Sequence, residues 1–192
     1  MTAPDDEFLI LAGVVLIAGA WWYMRQQEQP IGVIGEGDDV AADELITGIF
    51  DKMNIWKPPA AAAPYLSAIA AAEQKYGLPT NMLARLLYQE SRFRTDIITG
   101  KTKSPAGALG IAQFMPATAQ QFGINPLDPF QAIDAAGRYL SQLFRRFGSW
   151  SEALASYNWG QGNVSRKGLA AAPTETRNYF TQILNDLGLE IV

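Results

Sequence analysis

The sequence predicts a mainly α-helical domain that covers residues 65–192. Apolar residues recur there at helical spacing, Gly or Pro separates the resulting segments, and Ser or Thr stands at several helix starts. A hydrophobic segment and an acidic linker precede this domain. We therefore divide the chain into an anchor over residues 1–25, a linker over residues 26–64 and the helical domain.

The anchor is predicted from residues 8–24, a run without a charged side chain that would be about 26 Å long as a helix. This length is at the short end of what crosses a bilayer, and the aromatic residues 21–23 cluster at one end, as interfacial residues do. A cleaved signal peptide is the alternative. The acidic residues 5–7 stand where a signal peptide has Lys or Arg, so we favour a retained, single-pass transmembrane helix.

The linker has three parts. Residues 30–39 are rich in Gly and acidic residues, and residues 57–64 form a stiffer stretch of Pro and Ala. Between them, residues 40–56 carry apolar side chains at near-helical spacing. This pattern predicts a short amphipathic helix that docks on a membrane, on a partner chain or on the domain itself.

Within the domain, the spacing of apolar residues and the residues at segment ends predict six helices and one long loop. Gly77 ends the first helix, Pro116 and Pro129 begin two others, Ser149 or Ser151 caps the next, and Thr174 caps the last. The expected helices cover residues 65–76, 80–93, 116–122, 129–147, a segment through residue 157, and a segment from residue 174 onward. The Gly-, Ser-, Thr- and Lys-containing loop between residues 96 and 110 is a candidate for a short hairpin.

Glu90 ends the apolar stripe of the second helix. Leu83, Leu86 and Leu87 lie seven, four and three residues before it, so all four share one helix face. A carboxyl on a buried face has a raised pKa, and a protonated carboxylic acid is what cleavage of a glycosidic bond requires. The alternative is a Glu at the edge of a core helix whose carboxylate reaches water.

Composition narrows the possible chemistry. The chain has no His and no Cys, which excludes Ser-His-Asp triads, thiolate nucleophiles, disulfides and sites with His or Cys metal ligands. Catalysis must therefore rest on carboxylates, hydroxyls, amides, Lys or Arg. Glycoside cleavage is one of the few large enzyme classes that needs nothing more, and no cofactor is expected.

Charge is distributed unevenly along the chain. Residues 1–64 contain three basic and ten acidic residues, whereas residues 65–192 contain twelve basic and nine acidic ones. A mildly basic domain suits a polyanionic matrix such as the bacterial cell wall, although a solvated surface explains it equally well. No basic run with interleaved aromatic residues occurs, so nucleic acid is not an expected partner.

Four short segments carry a family resemblance. They are Glu90 with Ser91, the Gly-, Gln- and Pro-containing residues 107–116, the Tyr-Asn-Trp-Gly residues 157–160, and residues 175–179 with a distal Tyr. Their order and spacing resemble the soluble lytic transglycosylase and goose-type lysozyme family over roughly residues 65–190. The resemblance implies a lysozyme-like helical fold and peptidoglycan glycan strands as the substrate.

The resemblance also implies roles for individual residues. Glu90 matches the acid/base that protonates the bond between N-acetylmuramic acid and N-acetylglucosamine and then deprotonates the muramoyl 6-hydroxyl, giving a 1,6-anhydro end. Ser91 matches a residue that orients this Glu or contacts glycan, with helix C-capping as its alternative. Gln113 and Met115 match groove residues, and Gln113 can bond sugar acetamido groups.

The remaining matches lie later in the chain. Tyr157 and Asn158 match residues that face the cleft, where a phenol polarises the leaving oxygen or holds the acid. Tyr179 matches a residue that contacts glycan or Glu90. Glu175 matches a substrate-binding position, although an acidic residue in the first turn of a helix is also favourable by itself. Trp159 departs from the usual small residue and either stacks on a sugar or packs.

The supply of carboxylates bears on the mechanism. Two-carboxylate glycosidases need a second Asp or Glu, and Asp96 is the only candidate near Glu90 in sequence, whereas Glu73, Asp134, Asp186 and Glu190 are expected on helix surfaces. A site with a single catalytic carboxylate favours the transglycosylase reaction. A lysozyme-type hydrolase that uses Asp96 is the runner-up, and a structural protein that only binds glycan is the third reading.

The biological setting has several readings. A bacterium could use such an enzyme for wall remodelling or secretion, and a bacteriophage could carry it in the virion to open the wall during genome delivery. Arg25 after the hydrophobic run would place the domain in the cytoplasm of an ordinary cell. A virion-associated protein that acts in the host periplasm avoids this conflict, with residues 8–24 in a lipid bilayer or in the virion assembly. The oligomeric state is left open.

Overall fold

The computed structural model describes residues 56–191. The predicted anchor, the Gly- and acid-rich linker and nearly all of the amphipathic segment lie outside this range. Within it, no helix is both long enough and apolar enough to span a bilayer.

The described residues form eight α-helices and two short 3-10 helices. The α-helices are α1 (Leu66–Tyr76), α2 (Met82–Ser91), α3 (Thr95–Ile98), α4 (Pro116–Phe122), α5 (Pro129–Phe147), α6 (Trp150–Trp159), α7 (Gln161–Lys167) and α8 (Thr174–Asp186). The 3-10 helices are Ala60–Tyr65 and Leu169–Ala171. The prediction of a mainly helical domain is confirmed for this part of the chain.

The long helix α5 is the centre of the fold. It packs against α1 on one side and α6 on the other, while α8 packs on α6 and reaches α2. Gly137 allows the close approach of α1, because a Cβ at this position would lie 3.0 Å from the Tyr76 ring and 3.3 Å from the Ala72 side chain. The side chains of Leu83, Leu86 and Leu87 are fully buried in this core, which leaves Glu90 at the end of the stripe.

Helix boundaries follow local chemistry. Gly77, Gly123 and Gly148 adopt the left-handed conformation and end α1, α4 and α5. The Asp128 side chain accepts hydrogen bonds from the backbone N–H groups of Phe130 and Gln131 and so caps α5. Ser149 caps α6 by accepting from the N–H of Glu152, so of the two predicted caps Ser149 is the correct one.

Several sequence-based expectations about local structure are wrong. Thr174 is the first residue of α8, whose N-cap is Pro173, so it does not cap the helix. Residues 57–64 are no free linker, because Ala62 is fully buried in the core. No hairpin forms between residues 96 and 110. Within residues 56–191, the nearest approach to a strand is one isolated bridge between Leu109 and Phe114.

Candidate active site

The structure brings Glu90 and Tyr179 into direct contact. The Tyr179 hydroxyl donates a hydrogen bond of 2.5 Å to Oε1 of Glu90, which joins α2 to α8 across 89 residues of sequence. Tyr179 is buried, whereas Glu90 is half-buried and opens to a cavity. The surrounding protein raises the pKa of the Glu90 carboxyl to about 7 because burial disfavours the charged form, and the Tyr179 hydrogen bond opposes part of this rise.

The end of α2 is shaped to present Glu90. Arg92 and Phe93 both have positive φ, an uncommon conformation for residues other than Gly, so the chain turns sharply after the helix. Ser91 is fully buried at this turn. Its hydroxyl donates to the Leu87 carbonyl at 3.1 Å and accepts from the Phe93 N–H at 3.2 Å. Ser91 therefore supports the turn beside Glu90 and presents no surface to the cleft.

The start of α2 is fixed by a carboxylate of α1. Glu73 is buried and accepts from the backbone N–H groups of Asn81, Leu83 and Ala84 at 3.0, 2.9 and 3.3 Å. These are N–H groups that a helix start leaves without intrahelical partners. The expectation of Glu73 on a helix surface is wrong. Its carboxylate anchors the helix that carries Glu90.

A buried cation joins α2 to the end of α8. Nε of Arg85 lies 2.7 Å from Oδ2 of Asp186, and the Arg85 side chain is only 5% exposed. Nη1 of Arg85 also donates to Oε1 of Gln89 at 2.9 Å. Asp186 follows Tyr179 by seven residues, or two helical turns, so the ion pair and the Tyr179–Glu90 bond hold the same two helices together at separate points.

Glu90 opens into a cavity of about 270 Å³ that we call the acid cavity. Its lining is polar and comes from α2, α6 and α8: Gln89, Glu90, Asn158, Glu175, Asn178, Tyr179 and Gln182. Three of these residues are not predicted from the sequence as site residues: Gln89, Asn178 and Gln182. The signal for two of them was present, because Asn178 and Gln182 follow Glu175 at intervals of three and seven residues and so share its helix face.

A second cavity of about 260 Å³, the loop cavity, lies next to it. It is lined by Gln113, Phe114, Met115, Thr118, Tyr139, Tyr157, Asn158, Trp159 and Gly160. Asn158 lines both cavities and therefore marks their junction. Its Oδ1 accepts from the Thr176 hydroxyl at 2.8 Å, which leaves its two Nδ2 hydrogens for a ligand.

The loop before α4 forms one wall of the loop cavity. Leu109 and Phe114 exchange backbone hydrogen bonds of 3.0 and 3.1 Å, and Gln113 between them has a φ of 49°. The Gln113 side chain donates from Nε2 to the Gly110 carbonyl at 2.9 Å, so its Oε1 is the atom left for a ligand. Gly110 is required here, because a Cβ would lie 1.8 Å from the Pro126 carbonyl oxygen.

Tyr157 connects this loop to α6. Its hydroxyl donates to the Ala112 carbonyl at 3.0 Å, so in this structure it supports the loop and makes no hydrogen bond to Glu90. Burial and the nearby Glu90 charge raise the pKa of Tyr157 well above its usual range. The phenol is therefore a neutral donor at physiological pH.

The predicted site residues fall into three groups. Glu90, Tyr179, Glu175 and Asn158 meet at the acid cavity. Gln113, Met115 and Tyr157 line the loop cavity with Asn158, and Ser91 lies beneath the surface beside Glu90.

Asp96 lines neither cavity. Its carboxylate is 2.7 Å from Nη2 of Arg94 and accepts from the Thr102 hydroxyl at 2.8 Å. These contacts hold Asp96 in an exposed ion pair away from the polar wall around Glu90. Among residues 56–191, no three acidic side chains come together in a way that could hold a metal ion.

The chain is similar in sequence to a known protein family and to individual known proteins. The family described as "Transglycosylase SLT domain" matches residues 67–180. A transglycosylase of Enterobacteria phage PRD1 is 32% identical over 131 residues, which are 67% of this chain and 44% of that protein. The membrane-bound lytic murein transglycosylase F 2 of Alkalilimnicola ehrlichii is 35% identical over 101 residues, which are 48% of this chain and 21% of that protein.

A solved structure is also similar. The X-ray structure of an inactive Glu-to-Gln mutant of the lytic transglycosylase Slt from Pseudomonas aeruginosa has a TM-score of 0.54 and 25% sequence identity. The match covers 64% of this chain and 23% of that one. The chain thus spans less than half the length of each of these three relatives.

Proposed function

The chain belongs to the transglycosylase SLT domain family, and we propose that it is a peptidoglycan lytic transglycosylase. It cleaves the β-1,4 bond between N-acetylmuramic acid and N-acetylglucosamine and leaves a 1,6-anhydromuramoyl end. The single observation that carries this proposal is the carboxyl of Glu90, whose pKa of about 7 keeps it partly protonated at neutral pH beside an open polar cavity. The relatives named as transglycosylases support the same reaction class.

The proposed reaction uses one carboxyl group twice. Glu90 gives its proton to the glycosidic oxygen as the bond from that oxygen to C1 of the muramoyl residue breaks. The resulting carboxylate then takes the proton of the 6-hydroxyl as O6 forms its bond to C1. No water is consumed, and Glu90 ends in its starting protonation state. A pKa near the working pH suits a group that must both give and accept a proton.

The residues around Glu90 have separate roles in this reaction. Tyr179 donates to Oε1 of Glu90, so Oε2 is the oxygen left to carry the transferred proton. The free amide atoms of Gln113 and Asn158 can bond the acetamido groups of sugars on the two sides of the scissile bond. In the solved relative a Glu-to-Gln change gives an inactive enzyme, which supports a need for one carboxyl group.

The test compares the chain with a Glu90→Gln variant on purified murein. We expect the wild type to release muropeptides with anhydro ends, lighter by one water than hydrolysed products, and the variant to release almost none. Undiminished release by a correctly folded variant would contradict the role of Glu90. Products with only reducing muramic ends would contradict the transglycosylase reaction.

A lysozyme-type hydrolase is the second candidate, because Glu175 lines the same cavity as Glu90 and supplies a second carboxylate. If Glu175 activates a water molecule, a Glu175→Gln variant will lose most of its activity and the wild-type products will have reducing ends. If Glu175 only contacts the glycan, the loss will be modest and the anhydro ends will remain.

We also propose that the protein is carried in a phage virion and opens the wall during genome delivery. The similarity to a phage transglycosylase supports this setting. The uncharged residues 8–24 would attach it to the virion or its membrane. Detection of the protein in purified particles tests this proposal, and a periplasmic location in uninfected cells would contradict it.

A further inference from the structure

Trp159 and Lys167 form a feature that the proposed reaction leaves unused. Trp159 is half-buried and lines the loop cavity next to Asn158. Nζ of Lys167 lies over its ring, 5.4 Å from the ring centroid, a cation–π arrangement. The Lys167 side chain is exposed, and no acceptor or carboxylate within residues 56–191 binds its ammonium group. A positioned cation with free N–H donors therefore stands beside the cavity.

The two cavities differ in charge. The acid cavity contains the carboxyl groups of Glu90 and Glu175, whereas no residue lining the loop cavity is charged. Helix α7, which begins just after the loop cavity wall, ends in Arg166 and Lys167. Glu175 would thus disfavour an anionic group of a bound glycan at the acid cavity, whereas Lys167 would attract that group to the nearest side of the loop cavity.

The position of Lys167 is set by the fold. The amide of Asn163 donates to the Trp159 carbonyl at 2.8 Å and ties α7 to the end of α6. Nη1 of Arg146 donates to the Gln161 side chain at 2.8 Å and holds the start of α7 against the end of α5. Lys167 therefore projects from a helix fixed at both these points.

We propose that Trp159 and Lys167 bind the acidic peptide stem that a muramic acid residue carries when it occupies the loop cavity. The Trp159 ring packs against the sugar, and the ammonium group of Lys167 pairs with a carboxylate of the stem. This inference rests on the proposed function, since it takes peptidoglycan as the ligand. It makes this pair a specificity determinant that favours peptide-bearing glycan over bare glycan.

The test uses two substrates and three variants of the whole chain. The substrates are glycan strands that carry acidic stems and the same strands after an amidase has removed the stems. Lys167→Met is expected to lower kcat/KM on stem-bearing glycan about fivefold, chiefly through KM, with a much smaller change on stripped glycan. Lys167→Arg should keep most of the preference because it retains the charge. Lys101→Met is the control, since Lys101 is exposed and lines neither cavity.

The outcomes separate the two proposals. Equal effects of Lys167→Met on both substrates, or no effect on either, would overturn the assignment of Lys167. If the wild type cleaves neither substrate, the proposed function fails. In that case the stem site is tested by binding alone. The Glu90→Gln variant, with and without Lys167→Met, is measured for binding to both glycans. In this binding assay the preference should weaken as salt rises.

Discussion

The acid cavity and the loop cavity meet at Asn158 but are built in different ways. The acid cavity is made by side chains on packed helices, and its key property is the burial of a carboxyl group bonded to Tyr179. The wall of the loop cavity depends on backbone conformation, with positive φ at Gly110 and Gln113 and a loop carbonyl held by Tyr157. Activity should therefore depend on individual side-chain atoms at the acid cavity. The wall of the loop cavity should instead be sensitive to changes that strain its backbone.

The largest expected effect is that of Glu90→Gln on catalysis. Gln keeps the shape and an acceptor for Tyr179 but carries no proton to transfer, so activity on murein should fall about 10³-fold. The measurement is muropeptide release, with circular dichroism as the check that the variant is folded. A loss below about tenfold would show that Glu90 is not the acid.

On the loop side, Gly110→Ala should give the largest loss of stability. The added Cβ would lie 1.8 Å from the Pro126 carbonyl oxygen at a φ of 74°, so the loop must move. We expect a loss of about 3 kcal/mol in the free energy of unfolding, measured with denaturant, together with reduced activity.

Gly123→Ala is the matched control for this prediction. Gly123 has a similar φ of 66°, but a Cβ there would meet nothing within 4 Å. Its cost should be about 1 kcal/mol, from backbone conformation alone. Equal losses in the two variants would show that the contact with Pro126 is unimportant.

Next in size is the effect of Asp186→Asn. This change leaves the buried Arg85 guanidinium without its ion-pair partner, and we expect a loss of about 2 kcal/mol in unfolding free energy. The control is Asp134→Asn, whose partner Lys75 is 59% exposed, and there the loss should stay below about 1 kcal/mol. Similar losses in the two variants would argue against Arg85 as a support of the acid cavity.

Tyr179→Phe should change the pH dependence of activity more than it changes the stability of the fold. The Tyr179 hydrogen bond lowers the pKa of Glu90, so its loss raises that pKa and moves the alkaline limb of the activity profile to higher pH. Activity at neutral pH should fall about tenfold, because the carboxyl is no longer held in place. Tyr157→Phe is the comparison, since its hydroxyl bonds Ala112 and its removal should leave the limb nearly unmoved.

Raising pH should also lower the stability of the fold. Because the folded-state pKa of Glu90 is raised from 4.5 to about 7, the folded state binds more protons than the unfolded state between these values. Stability should therefore fall as pH rises through this window. Glu90→Gln should be the more stable protein above pH 7, by up to about 3 kcal/mol, with little difference near pH 4. An equal difference at both pH values would contradict this origin.

Local features of the fold could be predicted from the sequence. The bounds of α4 and α5 follow from Pro at the first turn and Gly after the last, and Ser149 caps α6. Helix α7 was missed because only Val164 among its seven residues is buried, so no apolar stripe marks it. The role of residues 57–64 was also missed, because an Ala- and Pro-rich stretch does not reveal that Ala62 packs into the core.

The contacts that support the site could likewise be predicted only in part. Glu90, Tyr157, Asn158 and Tyr179 stand in recognisable motifs, but their distant supports do not. Glu73 caps a helix that begins after a turn, and Arg85 meets Asp186 across 101 residues, contacts that no spacing rule gives. Ser91 belongs to a motif, yet its hydrogen bonds are local ones that only the backbone turn reveals.

Burial of the Glu90 carboxyl should keep it partly protonated at neutral pH. The measurement is a pH titration of the ¹³C resonance of this carboxyl, assigned by its absence in Glu90→Gln. We predict a midpoint of about 7, matched by the alkaline limb of kcat/KM on murein. A midpoint near the ordinary value of 4.5 would show that the carboxyl is charged at neutral pH and cannot be the acid.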